Sequence, residues 1–310
     1  MAKTAFLFPG QGAQIVGMGR DLYESDAASR AFFDRLCQLV DFDLKALCFE
    51  GPEETLAQTE YTQACLVAVE LMLLKALEAR GVTADVVAGL SLGEYTALAA
   101  AGVLEPEDAV VLVNARGKIM AEALPEGTSQ MAAVLGMSDA DLEAVCLQAR
   151  TAGVVEIANY NCPGQRVIGG ERLAVEKAVQ LATENGARKV IGLNVSGAFH
   201  TSLLKEAGQK LRQELDQMSF KSPVRPIVFN KTGQYEEQDI EALMEAQISS
   251  PVQFEASIEW LLKAGVEVFV EVGPGKTLSG FVKKIHRKAE IHQVSDCESL
   301  EKTVLKLSEA

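Results

Sequence analysis

A serine set between two glycines, Gly89-Leu90-Ser91-Leu92-Gly93, is where spacing in this sequence first points to chemistry. Average residue usage produces a G-x-S-x-G pentapeptide by chance in roughly one chain in ten of this length, so the flanking text has to decide. An apolar run over 85–90 feeds the motif and an alanine-rich helical run over 92–101 leaves it. Strand, tight turn and helix make a nucleophile elbow, which lifts the serine hydroxyl to a helix N-terminus. Free N–H groups and the helix dipole there favour developing negative charge. The plain alternative is a serine that only caps a helix.

A serine nucleophile needs a base. Of the three histidines, His286 and His292 lie in charged C-terminal text and read as surface residues. His200 follows a strand through Gly197-Ala198-Phe199 and precedes a helix expected to start near Thr201 or Ser202. A helix N-terminus at that point would depress the imidazolium and keep a base neutral. Arg116 is the third unusual residue. Its neighbours at three and four positions are Leu112, Val113, Ile119 and Met120, so a charge sits on the apolar stripe of a helix expected over 107–124. It either pairs with a structural carboxylate or waits for the carboxylate or phosphate of a ligand.

The elements that must position these residues alternate as in an α/β protein. The run from Lys3 to Phe8 reads as a buried strand ending in the turn Pro9-Gly10-Gln11-Gly12, and 53–80 reads mostly as helix, with an apolar face at Leu66, Val69, Leu73 and Leu77. After Pro125-Glu126-Gly127 the order becomes strand 131–136, helix 139–150, strands 154–160 and 165–170, helix 171–185 and strand 188–195. That βαββαβ order is a ferredoxin-like unit. The larger α/β text resumes with helix 203–217, strand 225–229, helix 252–264 and strand 266–272. The expected organisation is a large catalytic α/β domain with a parallel sheet, formed by 1–127 and 196–310, carrying a ferredoxin-like domain inserted over 128–195.

Composition narrows the function. The formal net charge of −14 opposes nucleic acid and anionic membrane, both of which call for a basic footprint. No apolar run is long enough to span a bilayer, and the first residues make too short an apolar core for a signal peptide. Six cysteines without a C-x-x-C pair read as reduced thiols of a cytoplasmic protein. The histidine spacing offers no zinc site. Two phosphate-loop look-alikes fail: Gly273-Pro274-Gly275-Lys276-Thr277 has Val270 where a Walker A needs glycine, and Gly10-Gln11-Gly12 has Ile15 where a dinucleotide fingerprint needs its third. No metal or bound cofactor is expected.

Taken together, Phe8-Pro9-Gly10-Gln11-Gly12-Ala13-Gln14, Gly89-Leu90-Ser91-Leu92-Gly93-Glu94, Arg116, Gly197-Ala198-Phe199-His200, Gln247 before Ser250-Pro251-Val252, and Glu271-Val272-Gly273-Pro274-Gly275 occur in one order along the chain. In that order they resemble the malonyl-CoA:acyl carrier protein transacylase family of type II fatty acid synthesis. The resemblance implies an α/β-hydrolase-like catalytic domain with the ferredoxin-like insertion. It makes Ser91 the nucleophile and His200 its base, with an oxyanion hole at the backbone amides of Gln11 and Leu92. Arg116 would clamp the malonyl carboxylate, and a main-chain carbonyl from the segment holding Gln247 would steady the histidine. Gln63, Asn159 and Asn161 match positions that line the site. Phe199 would crowd an α-methyl group, a discrimination of only about 1–3 kcal/mol. Leu90 departs from the family, which often has histidine there.

The implied reaction moves malonyl from malonyl-CoA through malonyl-Ser91 to the phosphopantetheine thiol of acyl carrier protein, with a monomer as the default state. A serine esterase or thioesterase of α/β-hydrolase type is one rival, and a non-catalytic thioester-binding module is another. A trans-acting polyketide acyltransferase would differ only in its carrier. Carrier proteins are expected to be acidic, so a chain at −14 needs a local basic patch, for which Arg188, Lys189, Lys283, Lys284 and Arg287 are the candidates.

Overall fold

In a computed structural model, residues 2–193, 195, 197–236 and 239–308 are described. The larger sheet has six strands in the order Glu290–Val294, Val266–Val272, Lys3–Phe8, Val86–Gly89, Ile227–Phe229 and Gln234–Tyr235. All its pairings are parallel except the last, which is antiparallel. Side chains alternate between two apolar cores: Phe6, Phe8, Val87, Ile227 and Phe229 face one, and Ala5, Leu7, Val86, Ala88 and Val228 face the other. Burial on both faces is why these strands read as continuous apolar runs.

One face is covered mainly by the long helix Thr59–Ala79, which packs on Pro106–Ala121. Sequence periodicity gave this helix a single apolar face, yet every residue from Thr62 to Leu74 is buried. Gln63 and Glu70 are therefore interior polar residues. The other face carries Phe254–Lys263 and Thr277–Ile285, through Phe254, Ile258, Leu278 and Phe281. No helix among the described residues is long and apolar enough to cross a membrane.

The second sheet is antiparallel, in the order Val155–Cys162, Gln165–Glu171, Ser129–Leu135 and Lys189–Gly192. Helices Asp139–Ala149 and Arg172–Glu184 bury Leu142, Val145, Val175 and Ala178 against it. In chain order the strands stack second, third, first, fourth, which is the ferredoxin-like arrangement. The strand expected over 188–195 is shorter, Lys189–Gly192, and Asn194 and Ser196 lie outside the described residues. The helix expected from 203 starts at Lys205 after a short 3-10 turn, Ser202–Leu204.

A β-bridge ties the insertion's sheet to the larger part of the chain. Tyr160 N–H donates to the Val252 carbonyl at 2.8 Å, and Val252 N–H donates to the Ala158 carbonyl at 2.9 Å. The strand edge of the insertion thus pairs with the segment that follows helix Ile240–Gln247.

Candidate active site

Turns leaving the C-terminal ends of the parallel strands bring the site together, as open α/β sheets tend to do. Ser91 follows Val86–Gly89 with φ 52°, a left-handed conformation that a serine adopts only under constraint. The flanking glycines supply the room. A Cβ on Gly93 would lie 2.1 Å from the Phe8 carbonyl oxygen, and one on Gly89 2.0 Å from the Gly93 carbonyl carbon. The turn is held from both sides: Ser91 N–H donates to Asn230 Oδ1 at 2.6 Å, and the Ser91 carbonyl accepts Gln247 Nε2–H at 2.8 Å.

Ser91 Oγ stands 2.6 Å from His200 Nε2. The other ring nitrogen, Nδ1, is 2.9 Å from the Gln247 carbonyl oxygen. A carbonyl can only accept, so Nδ1 carries the proton and Nε2 presents its lone pair to the hydroxyl. Burial, with the Arg116 charge nearby, pushes His200 down to about 4, so the ring is neutral at physiological pH. This corrects the cause expected from sequence, a helix N-terminus: the α-helix begins only at Lys205, and desolvation lowers His200 instead. His286 is exposed as expected, whereas His292 lies on the edge strand with 14% of its side chain accessible, bonded to Glu290.

Arg116 is 1% exposed and has no carboxylate partner within ion-pair distance among the described residues. Nη1–H donates to Gln63 Oε1 at 2.7 Å, and Nη2–H donates to Gln247 Oε1 at 2.9 Å and Ser91 Oγ at 3.3 Å. Among the described residues its Nε–H has no hydrogen-bond partner. The Tyr95 ring lies under the guanidinium at 5.2 Å. A buried cation held by amide oxygens, with a donor unused, keeps its full charge for an incoming anion.

A cavity of about 230 Å³ opens above these groups. Gln11, Leu92, Asn159, Asn161 and Phe199 line it together with Ser91, Arg116 and His200. The backbone amides of Gln11 and Leu92 donate no hydrogen bond to another described residue; Leu92 follows the serine in the chain and Gln11 lines the same cavity. The arrangement is chemically able to deprotonate Ser91, stabilise an oxyanion beside it and bind a carboxylate one hydrogen bond away.

The family profile of the acyl transferase domain matches residues 5–303. This chain belongs to that acyl transferase family. Over 312 aligned residues it is 44% identical to the malonyl CoA-acyl carrier protein transacylase of Bacillus subtilis, covering all of this chain and 98% of that one. The crystal structure of a malonyl CoA-acyl carrier protein transacylase from Clostridium perfringens superposes with TM-score 0.95 at 43% identity, over 99% and 98% of the two chains. A malonyl-transacylase in complex with its type II PKS acyl-carrier protein superposes with TM-score 0.96 at 34% identity, over 98% and 100%.

Within this acyl transferase chain, five residues singled out from sequence are joined directly: Ser91, His200, Arg116, Gln63 and Gln247. The basic candidates divide. Lys284 Nζ donates to Gln165 Oε1 on the cavity lining at 2.8 Å. Lys189 pairs with Leu135, which pairs with Gln165, and Arg188 N–H bonds the Leu135 carbonyl, so these two are carried on the same strand ends. Lys283 instead turns its Nζ to the Ala289 carbonyl, and neither it nor Arg287 lines the cavity.

Two polar residues of the site had no role from sequence. Asn230 Nδ2–H donates to the Gly89 carbonyl at 2.6 Å while its Oδ1 holds Ser91. Glu94 is 1% exposed and accepts from Gln247 Nε2–H at 2.5 Å and from Asn230 N–H at 3.0 Å. Burial raises it to about 7, against the pull of Gln247, Asn230 and Arg116. A turn asparagine just past a parallel strand was the available signal for Asn230.

Proposed function

We propose that this chain is an acyl carrier protein S-malonyltransferase, transferring malonyl from malonyl-CoA to the phosphopantetheine thiol of acyl carrier protein through malonyl-Ser91. The observation that carries this reading is a buried Arg116 whose Nη2 reaches to 3.3 Å from the hydroxyl of a Ser91–His200 dyad. A neutral ester gives such a charge nothing to hold, whereas a malonyl thioester presents a carboxylate one methylene from its reacting carbonyl.

In the forward step Ser91 Oγ attacks the thioester carbon and His200 Nε2 takes its proton. The oxyanion is held by the amides of Gln11 and Leu92, each worth about 3–4 kcal/mol in such sites. Collapse breaks the C–S bond, and the CoA thiolate leaves with the proton from His200. The carrier thiol then repeats the sequence in reverse on malonyl-Ser91. His200 is steadied by a main-chain carbonyl instead of an acid, which favours this reading over an α/β-hydrolase esterase with its Ser, acid, His order. No cofactor enters this scheme.

The carrier would be received at Arg188, Lys189 and Lys284, around the Gln165 side of the cavity. A cytoplasmic monomer accords with site residues drawn from a single chain and with cysteines that are all unpaired. The likeness to a polyketide carrier complex keeps a polyketide acyl carrier protein as the second reading of the partner.

Intact mass after brief mixing with malonyl-CoA tests the reading. A malonyl adduct on wild type, absent from Ser91→Ala and discharged by holo carrier protein, is expected. Discharge by water as fast as by carrier would make the chain a hydrolase. No adduct would leave only a binding module.

A further inference from the structure

Gln247 sits between two opposite charges. Its Oε1 accepts Arg116 Nη2–H at 2.9 Å and its Nε2–H donates to Glu94 Oε2 at 2.5 Å. The other oxygen of Glu94 accepts the main-chain N–H of Asn230 at 3.0 Å, and Asn230 in turn holds the Ser91 amide and the Gly89 carbonyl. One carboxylate therefore fixes the direction of the Gln247 amide and the seat of Asn230. Through Gln247 it reaches the guanidinium and the residue whose carbonyl orients His200. Through Asn230 it reaches the left-handed serine turn.

Resting on the acyl-transfer reading above, we infer that Glu94 is a positioning residue for that reaction, which must be ionised to hold clamp, base and nucleophile in register. The chemistry of the donors requires the charge. Two N–H groups converge on the carboxylate, one per oxygen. A protonated acid, or a glutamine in its place, would set a hydrogen against one of them and break that bond. If Gln247 then flipped to relieve the clash, it would turn its NH2 group toward Arg116 and lose the guanidinium. The groups facing Glu94 are Arg116 on helix Pro106–Ala121, which favours the anion, and Tyr95 beside it on its own helix, pushed up to about 12 by burial and hence neutral. Gln247 and Asn230, from the two remaining contacts, carry no charge.

The consequence is a pH dependence that His200 cannot produce. With the base near 4 and Glu94 near 7, a fall in acylation rate below about pH 7 belongs to the carboxylate. The experiment is the single-turnover rate of malonyl-Ser91 formation from pH 5 to 9, for wild type and Glu94→Gln, with folding checked by circular dichroism. Wild type should lose rate below about pH 7, with a midpoint that barely moves with temperature, as a carboxylic acid's does and an imidazole's does not. Glu94→Gln should be slower by roughly 10- to 100-fold at pH 8.5 and should show no step near 7.

Wild-type rate in the variant, or an unchanged step near 7, would overturn the inference. Should Glu94→Gln fail to fold, wild type alone decides: a flat profile from 5 to 9, or a midpoint with an imidazole's temperature dependence, overturns it as well. Absence of any adduct on wild type would instead overturn the acyl-transfer reading, so the two failures are told apart.

Discussion

Arg116 Nη2 lies 3.3 Å from Ser91 Oγ, so the proposed nucleophile and the proposed carboxylate clamp are one hydrogen bond apart. That separation acts as a ruler. In the proposed reaction it suits an acyl chain with a single methylene between carboxylate and thioester.

Truncating the clamp should remove selectivity more than reactivity. Arg116→Ala is expected to slow malonyl transfer to Ser91 by roughly 10²–10³-fold, the usual scale for losing one partner of a buried charged contact. Acetyl-CoA, which lacks the carboxylate, should react within a few fold of its wild-type rate. Arg116→Lys should resemble alanine more than wild type, because one ammonium cannot replace the fork that spans Gln63 and Gln247. Parallel mass measurements with both thioesters decide it, and equal losses on the two would count against the ruler.

Carrier recognition should be separable from acylation. Reversing charge at Arg188 and Lys189 together is expected to slow discharge of malonyl-Ser91 by carrier protein roughly tenfold at low salt, with the deficit shrinking as salt rises. Formation of the adduct from malonyl-CoA should be little changed. A matched loss in both half-reactions would place the carrier elsewhere.

Packing at the elbow makes a stability prediction. Gly93→Ala would put a methyl group 2.1 Å from the Phe8 carbonyl oxygen, where only backbone movement can relieve the overlap. A loss of about 2–4 kcal/mol is expected by urea unfolding, together with a sharp fall in activity, since the same shift moves Ser91. A variant of wild-type stability would show that the strand and helix ends can part freely.

Two buried groups should oppose each other in the pH dependence of stability. His200 is held at about 4 against an ordinary 6.5, so its contribution is present above 6.5 and is lost as pH falls toward 4. Glu94 is held at about 7 against an ordinary 4.5, so its contribution is present below 4.5 and is lost as pH rises through 7. Between pH 4.5 and 6.5 the folded chain refuses one proton and retains another, and the slopes largely cancel. Glu94→Gln should unmask the histidine. Relative to wild type it should lose about 3 kcal/mol as pH falls from 7 to 4.5, measured by denaturant unfolding at several pH values. A difference independent of pH would contradict the assignment.

Much of this was legible from residue order. The strand Lys3–Phe8 has the bounds its apolar run implied, and the ferredoxin-like unit followed from its strand and helix sequence. Ser91 and Arg116 stood out because each violates a local rule: a serine in a glycine-framed turn, a charge on an apolar stripe. Glu94 violates a rule too, but its helix Gly93–Ala100 is buried almost all round, and such a helix has no periodicity against which a carboxylate looks misplaced. Asn230 escaped because its work is done through long-range bonds, to residues 139 and 141 positions away. The lowered His200 has a different cause from the helix terminus its sequence context suggests, since neither desolvation nor the proximity of Arg116 can be seen along a linear chain.

The bridge between the insertion's edge strand and Val252 has a consequence for how such chains can be recombined. Val252 is pinned to Ala158 and Tyr160 on one side, while Ile248 and Gln247, a few residues before it, hold the backbone and ring of His200. The insertion therefore braces the segment that orients His200, as well as walling the cavity. An insertion transplanted from a relative would have to present its outer strand in the same register as 158–160, or the carbonyl that aims the imidazole would swing with it. Chimaeras that preserve every site residue but shift that edge by one position should fold and bind thioester, yet acylate poorly.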